Sequence, residues 1–302
     1  MAVSLKGRDF IDIWDFDREE LEQILNTADM LKLRQKMGIV DQPLKGKTLG
    51  MYFAKASTRT RLSFEVGIYQ LGGYGLFLSS ADLQLRRGET IADSARVFSR
   101  YLDGIMIRTF AHKDVEDLAQ YADVPVINAL TDYSHPCQAM ADVMTIREKK
   151  RRLDGLKMVF VGDGNNVALS LMEVGARFGM EVVIACPKGY EPQQVNLDRT
   201  GARVVNDPRE AVAGADVIYT DVWASMGQEA ETAERKKHFT PYQVNADLVK
   251  LAKPDYLFMH CLPAHRGEEV TDEVCDSPNS VIFDEAENRL HVQKAIMALI
   301  MG

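Results

Sequence analysis

The sequence lacks a hydrophobic run long enough to cross a membrane. Its longest uncharged stretch, residues 66–81, contains Gln70 and several glycines, and it is shorter than the roughly 20 apolar residues of a membrane helix. The first ten residues contain no apolar core of the kind found in secretory signals. The four cysteines form no CxxC pair, which argues against a disulfide scaffold and is typical of a reducing compartment. These features predict a cytoplasmic protein without membrane contact.

Basic residues are outnumbered by acidic ones. Lys and Arg number 36 against 44 Asp and Glu, so the net charge is −8, and no long basic tract is present. Nucleic acid is therefore not expected as a partner, because such proteins neutralise phosphates with clustered cations. Local arginines can still hold a small anion. The six histidines show no metal-ligand spacing such as HExxH, so we expect no metal.

Short apolar runs alternate with helical patterns along the chain. In the first half, a helix capped by Asp17 and Glu20 precedes candidate strands at residues 48–53, 74–78, 104–108 and 125–128. The candidate helices between them cover residues 62–71, 91–101 and 115–121. In the second half, the candidate strands cover residues 158–162, 182–185, 203–205, 217–220, 256–259 and 281–283. The candidate helices there cover residues 138–152, 167–178, 208–212 and 285–300.

Strand–helix alternation of this kind predicts parallel sheets with helices on their faces. With 302 residues the chain has room for about two domains. We predict an α/β protein with two doubly wound parallel-sheet domains of similar size, residues 1–140 and 141–284. The last segment, residues 285–302, is predicted to be a helix that packs back on the first domain.

The segment Ser57-Thr58-Arg59-Thr60-Arg61 follows a predicted strand and begins a predicted helix. A helix N-terminus offers free backbone N–H groups and the positive end of the helix dipole. Hydroxyls can donate to phosphate oxygens and Arg can bind them in a bidentate manner. The segment therefore favours a phosphate site without a P-loop. A well-capped helix with solvated arginines is the alternative, and spacing alone leaves both open.

Two further segments follow predicted strands. His135-Pro136-Cys137-Gln138 begins a helix, where neutral His can donate to a developing oxyanion and Gln can donate and accept; a capped helix with a surface His is the alternative. Arg108 ends an apolar strand, which packing alone explains poorly.

In His260-Cys261-Leu262-Pro263, the cysteine is a nucleophile, a proton acceptor or a buried inert thiol. Neighbours on an extended chain point to opposite faces, which argues against a dyad of His260 and Cys261.

Together these motifs resemble the carbamoyltransferase family. Residues 53–61 and 135–138 are similar to its carbamoyl-phosphate signatures, and residues 221–227 and 260–263 resemble the ornithine branch. The aspartate branch has a Pro-Leu-Pro loop where this chain has Cys261-Leu262-Pro263. The resemblance extends from about residue 10 to the C-terminal helix.

The resemblance implies transfer of a carbamoyl group from carbamoyl phosphate to the δ-amine of L-ornithine, giving L-citrulline and phosphate in arginine metabolism. It implies no cofactor. It implies a carbamoyl-phosphate site formed by Ser57, Thr58, Arg59, Thr60, Gln84, Arg108, His135, Gln138, Cys261, Leu262 and Arg289. It implies an ornithine site formed by Asn166, Asp221, Ser225 and Met226. It implies that the catalytic residues are Arg108, His135, Cys261 and Asp221.

Gln84 resembles the residue that reaches into a neighbouring subunit's site, which implies a homotrimer, or a multiple of trimers, with shared sites. In the same loop Arg86 replaces a glycine that is common in the family, which puts the loop geometry in question. The attacking amine must be neutral, and nearby arginines would favour loss of its proton. Cys261 is expected to orient the amine or accept its proton, since the substrate amine is itself the nucleophile.

Three other interpretations compete. Gly162-Asp163-Gly164 follows a strand as in dinucleotide-binding folds, but Val167 replaces the last glycine and no acidic residue ends the next strand. A carbamoyltransferase for another amine, such as putrescine or aspartate, is disfavoured by Ser225-Met226-Gly227. A relative that only binds ligands is disfavoured by the complete set of Arg, His, Gln and Cys residues.

Overall fold

A computed structural model of the chain describes residues 3–83, 88–224, 227 and 229–302. The chain forms two compact units, the first comprising the chain up to Ala141 together with Glu287–Gly302 and the second comprising Asp142–Ala286. The assignment of residues 1–140 and 141–284 as two binding domains concerns function and stays a prediction. The expectations at Gln84, Arg86, Ser225 and Met226 lie outside the described residues.

The first unit is built on a parallel sheet with the strand order β2-β1-β3-β4. Its strands are β1 (Thr48–Phe53), β2 (Tyr74–Ser79), β3 (Gly104–Arg108) and β4 (Val126–Leu130). Its helices are α1 (Arg18–Lys36), α2 (Thr58–Gln70), α3 (Ile91–Tyr101), α4 (His112–Tyr121) and the first turns of α5 (Pro136–Lys150). β1 and β3 are buried almost throughout, which explains why they are continuous apolar runs.

The second unit is built on a parallel sheet with the strand order β7-β6-β5-β8-β9. Its strands are β5 (Lys157–Val161), β6 (Glu181–Ala185), β7 (Arg203–Val205), β8 (Val217–Thr220) and β9 (Leu257–His260). Its helices include α6 (Asn166–Phe178), α7 (Gln194–Thr200), α8 (Pro208–Val212), α9 (Thr232–Phe239), α10 (Ala246–Val249) and α11 (Asp272–Cys275). Short 3₁₀ turns occur at Glu229–Glu231 and Thr240–Tyr242, and another occurs at Ile13–Asp15 in the first unit. The prediction of two parallel-sheet α/β domains is confirmed.

Each sheet reverses its strand order at one point. The reversal lies between β1 and β3 in the first unit and between β5 and β8 in the second. In open α/β sheets, ligands bind beyond the carboxyl ends of the strands at such a reversal. The residues that follow these four strands are therefore the first candidates for a functional site.

The last helix, α12 (Ile282–Met301), packs on the first unit from Glu287 onward, as the sequence predicts. Lys294 on this helix donates to Gln35 Oε1 at 2.8 Å and to Gln70 Oε1 at 2.9 Å. A Cβ atom added at Gly67 of α2 would lie 3.0 Å from the Met297 side chain, so the two helices are in close contact. Within the described part of the chain, no helix has the length and hydropathy that a membrane crossing requires.

The prediction of a strand at residues 281–283 is wrong. Ser280 forms one parallel bridge with Phe258 of β9, and α12 then begins at Ile282. Val281 and Ile282 are buried like strand residues, but Asp284 and Glu285 follow in the first helical turn, where acidic side chains suit the helix dipole. A short buried apolar run does not by itself distinguish a strand from a helix start.

Most other predicted elements agree with the structure. β1, β3, β7 and β8 have the predicted bounds. The Asp17–Glu20 capping box of α1 is confirmed, with hydrogen bonds of 2.9 and 3.0 Å. α2 begins at Thr58, four residues before the predicted start at residue 62, so the Ser-Thr-Arg-Thr segment forms its N-terminus. The helices α7, α9, α10 and α11 were not predicted; they have four to eight residues, too few for a clear helical period.

Candidate active site

In the first unit, the turn after β1 caps helix α2. Ser57 Oγ accepts a hydrogen bond from Thr60 N at 3.3 Å, so the cap expected from the sequence is present. Thr58 is exposed, Arg59 is half-buried and Thr60 is 1% exposed. The structure therefore contains the well-capped helix that was the alternative to a phosphate site. The surroundings of Thr60 decide whether the turn does more than cap.

Two buried arginines meet at the Thr60 hydroxyl. Arg108 Nη1 donates to Thr60 Oγ1 at 3.4 Å and Arg289 Nη2 donates to the same oxygen at 3.3 Å. Both arginines are buried, with residue exposures of 6% and 3%. A solvated surface arginine does not explain two buried cations beside a helix N-terminus. The arrangement concentrates positive potential in the way that a phosphate dianion requires.

His135 lies in the same cluster and is held neutral. Burial lowers the pKa of its imidazole well below the ordinary value, and the charges of Arg289 and Arg108 lower it further. A neutral ring can donate one hydrogen bond without adding a third positive charge. The adjacent Cys137 is an inert core thiol, because burial raises its pKa to about 12 and its sulfur donates to Asn128 O at 3.4 Å.

Arg289 is oriented by two glutamines. Gln138 Oε1 accepts from Arg289 Nη1 at 2.5 Å, so Gln138 is a partner of this arginine. With its amide turned to match donors and acceptors, Gln293 accepts from Arg289 Nη2 at 3.0 Å and donates to Ser63 Oγ at 2.6 Å. Gln293 was not predicted. Its spacing of four residues from Arg289 on α12 is the signal that the sequence contains for it.

In the second unit, Asp221 follows β8 and joins two neighbouring loops. Asn165 Nδ2 donates to Asp221 Oδ2 at 3.1 Å, and Cys261 Sγ donates to Asp221 Oδ1 at 3.2 Å. Asn165 also caps α6 by accepting from Val167 N at 3.0 Å. Asn165, which contacts Asp221, is the N-cap residue, and Asn166, the residue implied by the resemblance, follows it as the first residue of the helix. The N-cap position before an apolar helix is the signal that could have identified Asn165.

The Cys261 thiol is protonated. Burial raises its pKa well above the ordinary value, and the neighbouring acidic groups of Asp221, Glu285 and Asp142 raise it further. Of the roles left open for Cys261, thiolate proton acceptor and nucleophile are therefore disfavoured. The geometry favours a neutral thiol that orients the Asp221 carboxylate.

His260 and Cys261 form no dyad, although their side chains do not lie on opposite faces as an extended chain would require. One His260 ring nitrogen, Cys261 Sγ and an Asp221 oxygen lie within 4.8 Å of one another. His260 Nδ1 accepts from Leu262 N at 2.9 Å and Nε2 contacts Glu269 Oε1 at 3.1 Å. Because both ring nitrogens are engaged, His260 has none to offer a metal, and we assign no metal to this cluster.

Arg235 connects the loops after β5 and β8. This arginine of α9 donates through Nη1 to Asp163 Oδ2 at 2.6 Å and to Trp223 O at 3.1 Å. Its Nε also donates to Glu231 Oε2 at 2.9 Å. The Asp163 carboxylate lies in the Gly162-Asp163-Gly164 loop and would repel the negatively charged pyrophosphate of a dinucleotide, which disfavours dinucleotide binding there. Sequence reasoning missed Arg235 because α9 was not predicted and the contacts span up to 72 residues.

Two sequence models of one family match the chain. The model described as the carbamoyl-P binding domain of aspartate/ornithine carbamoyltransferase matches residues 8–148, and the one described as its Asp/Orn binding domain matches residues 154–300. The chain is 67% identical to an ornithine carbamoyltransferase of Thermococcus kodakarensis, covering 100% of this chain and 99% of that protein. It is 62% identical to an anabolic ornithine carbamoyltransferase of Pyrococcus furiosus, covering 100% and 99%. A solved ornithine carbamoyltransferase structure from Pyrococcus furiosus superposes with a TM-score of 0.96, at 62% identity and coverage of 100% and 99%.

Proposed function

The chain belongs to the aspartate/ornithine carbamoyltransferase family, and from this premise we propose that it converts carbamoyl phosphate and L-ornithine to L-citrulline and phosphate. The observation that carries the proposal is the meeting of two buried guanidinium groups at the Thr60 hydroxyl, in the first turn of α2. Because a similar protein is designated anabolic, we propose a place in arginine biosynthesis.

The first unit is proposed to bind carbamoyl phosphate. The phosphate would lie at the start of α2, with Ser57, Thr58, Arg59 and Thr60, where backbone N–H groups and Arg108 neutralise its charge. His135 and Gln138 would address the carbamoyl group, and the neutral imidazole would donate to the carbonyl oxygen as it gathers charge. Arg289, held by Gln138, would complete the site. Gln84, Cys261 and Leu262 are assigned to this substrate by resemblance only, and the resemblance places Cys261 and Leu262 where the ornithine amine meets the carbamoyl carbon.

The second unit is proposed to bind ornithine. Asp221 supplies a carboxylate for a substrate ammonium group, and Asn166, Ser225 and Met226 are assigned to the amino-acid end by resemblance. In the reaction the δ-nitrogen forms a bond to the carbamoyl carbon, and a tetrahedral intermediate follows. The carbon–oxygen bond to phosphate then breaks and its electron pair leaves with phosphate. The amine loses one proton, for which Asp221 is the proposed acceptor, since the Cys261 thiol is neutral.

Replacing Cys261 with serine is expected to lower kcat/KM for ornithine about 10-fold, the effect of weakening one hydrogen bond at a reacting group. The pH profile should keep its shape. Because the pKa of the thiol is raised, the group is uncharged on both sides of neutrality and contributes no ionisation that the variant could lose. Initial rates across the pH range measure this. Loss of a limb of the profile in Cys261→Ser, but not in the matched thiol variant Cys186→Ser, would instead identify the thiolate as a proton acceptor.

One assay tests the activity directly. Carbamoyl phosphate is supplied with ornithine, putrescine or aspartate in parallel, and released phosphate and carbamoylated product are measured. We expect turnover with ornithine far above the other two. Preference for putrescine or aspartate would show that the protein has a different substrate specificity. Binding without turnover would show that it is a relative that only binds ligands.

We further propose a homotrimer, or a multiple of trimers, in a reducing cytoplasm. The edge strand β2 and its surroundings leave large apolar side chains in solvent, with Tyr74 64%, Leu76 40% and Phe77 37% exposed. An exposed apolar sheet edge favours burial against another copy. All four cysteines are free thiols, which a reducing compartment maintains.

Mixing two inactive variants tests whether subunits share sites. Refolding Gln84→Ala together with Arg108→Ala is expected to recover about a quarter of wild-type activity, from random pairing of an intact Arg108 with an intact partner Gln84. Each variant refolded alone should stay inactive. Mixtures that are no more active than their components would contradict sharing through Gln84.

A further inference from the structure

The loop after β9 is held by two buried side chains, His260 and Glu269. They are 1% and 0% exposed. His260 Nδ1 accepts from the backbone N–H of Leu262 at 2.9 Å, so this nitrogen carries no proton. The proton of the neutral ring then sits on Nε2, which donates to Glu269 Oε1 at 3.1 Å.

Glu269 closes the loop at both ends. Its Oε1 accepts from His260 at the end of β9 and from the backbone N–H of His265 at 2.5 Å. The backbone of Glu269 is itself anchored, because its carbonyl accepts from Val244 N at 2.8 Å. One carboxylate oxygen therefore fixes the positions of residues 260 and 265 against an ordered neighbouring segment.

The backbone inside this loop needs such support. Leu262 has a φ of +57°, in the left-handed region that non-glycine residues rarely adopt. The hydrogen bond from Leu262 N to His260 stabilises that conformation. Cys261 lies between these two residues, so the direction of its side chain toward Asp221, 3.2 Å away, depends on the same backbone.

We propose that His260 and Glu269 are positioning residues that hold Cys261 and Leu262 in the conformation needed to use the amino-acid substrate. The proposal rests on the proposed function, since it assigns Cys261 and Leu262 to the substrate site. A buried carboxylate is costly unless it is hydrogen-bonded, and here its donors are the ring and backbone that determine the loop. Neither side chain is proposed to touch substrate; both act through the loop.

Two substitutions at Glu269 separate positioning from charge. Glu269→Gln keeps an amide oxygen that can accept from His260 and His265, and its nitrogen replaces Oε2, which has no partner. We expect kinetic constants within about threefold of wild type for this variant. Glu269→Ala removes the oxygen that accepts both hydrogen bonds, and we expect kcat/KM for ornithine to fall about 10- to 100-fold while KM for carbamoyl phosphate stays within about twofold. The control is Glu268→Ala, the neighbouring partly exposed glutamate that pairs with Lys236, which should leave both unchanged.

Two substitutions at His260 each keep one of its two hydrogen bonds. They provide a second test of the proposal if Glu269→Ala does not fold. His260→Asn retains an acceptor near the Leu262 N–H, whereas His260→Gln retains a donor toward Glu269. Because the strained residue is Leu262, His260→Gln should impair ornithine use more than His260→Asn. The opposite order, or equal loss for both substrates in every variant, would overturn the proposal.

A measurement that does not depend on activity tests the positioning proposal separately from the proposed function. Cys261 is partly buried whereas the other three cysteines are buried, so alkylation of Cys261 can be followed by mass spectrometry. We expect its alkylation rate to rise at least 10-fold in folded Glu269→Ala and to stay at the wild-type value in Glu269→Gln. An inactive wild-type protein with these alkylation rates would refute the function and keep the positioning. Unchanged alkylation in folded Glu269→Ala would refute the positioning itself.

Discussion

Arg108→Lys is expected to lower kcat/KM for carbamoyl phosphate about 100-fold, the loss of roughly 3 kcal/mol that removal of one preorganised donor produces. Arg108 is buried at the carboxyl end of β3, and its Nη1 lies 3.4 Å from Thr60 Oγ1. Lysine keeps the charge but replaces the planar fork with a single flexible ammonium, which cannot contact a hydroxyl and a phosphate together. Initial rates at saturating ornithine measure the effect.

The matched control is Arg61→Lys, on the same helix as Thr60. The Arg61 guanidinium is exposed, pairs with Glu65 at 3.2 Å and lies 3.9 Å from the centre of the Phe77 ring. Its replacement should change kcat/KM less than about twofold, since exposed pairs contribute little. Equal effects of the two substitutions would mean that the cluster around Thr60 is not the anion site.

The sequence predicts these two arginines unequally well. Arg108 stands out because an arginine ends an otherwise apolar strand, and the structure puts it beside the strand-order reversal. Nothing in the Ser-Thr-Arg-Thr-Arg spacing separates the half-buried Arg59 from the exposed Arg61. That distinction depends on which way each side chain leaves the first turn of α2. Helix start position was itself predicted four residues late.

Contacts between distant segments mark the limit of prediction in the site. Gln138 and Arg289 meet across 151 residues, and Arg235 reaches Asp163 across 72. The order of strands in the sheets determines which distant residues meet, and the local periodicity of the sequence does not predict such contacts. Continuous apolar strands such as β1 and β8 were predicted to the residue, because burial on both faces is recorded in their composition. At residues 281–283 a similar apolar run led to the wrong prediction of a strand, since a buried helix start has the same composition.

Acidic groups in the second unit also influence the protonation of the substrate amine. Sequence reasoning emphasises arginines that favour loss of a proton from the amine. The structure adds acidic groups around Cys261, where Glu285 has a pKa raised well above its ordinary value, first by burial and then by Asp142. A raised pKa favours the uncharged form of the Glu285 carboxyl, and Asp221, at the end of β8, is the partner proposed for an incoming ammonium group.

Asp221→Asn is accordingly expected to lower kcat/KM for ornithine about 100-fold or more, because an isosteric amide cannot pair with an ammonium group or accept its proton. KM for carbamoyl phosphate should stay within about twofold. Asparagine keeps an oxygen that can accept from Cys261 Sγ, so the loop should keep its shape. Initial rates with ornithine as the varied substrate measure the loss, and thermal unfolding shows that the fold is intact.

Asp216→Asn is the matched control, because Asp216 precedes β8 as Asp221 follows it. Asp216 is buried, accepts from Lys157 N at 2.9 Å and pairs with Lys253 at 2.7 Å. Its loss should lower the free energy of unfolding by about 1–3 kcal/mol, since a buried charged hydrogen bond is weakened, and should leave KM for ornithine unchanged. Ligands bind at the carboxyl ends of parallel strands, so two aspartates at opposite ends of one strand should separate stability from substrate use. If both substitutions only destabilise the fold, Asp221 is a structural residue and the ornithine site must lie elsewhere in the second unit.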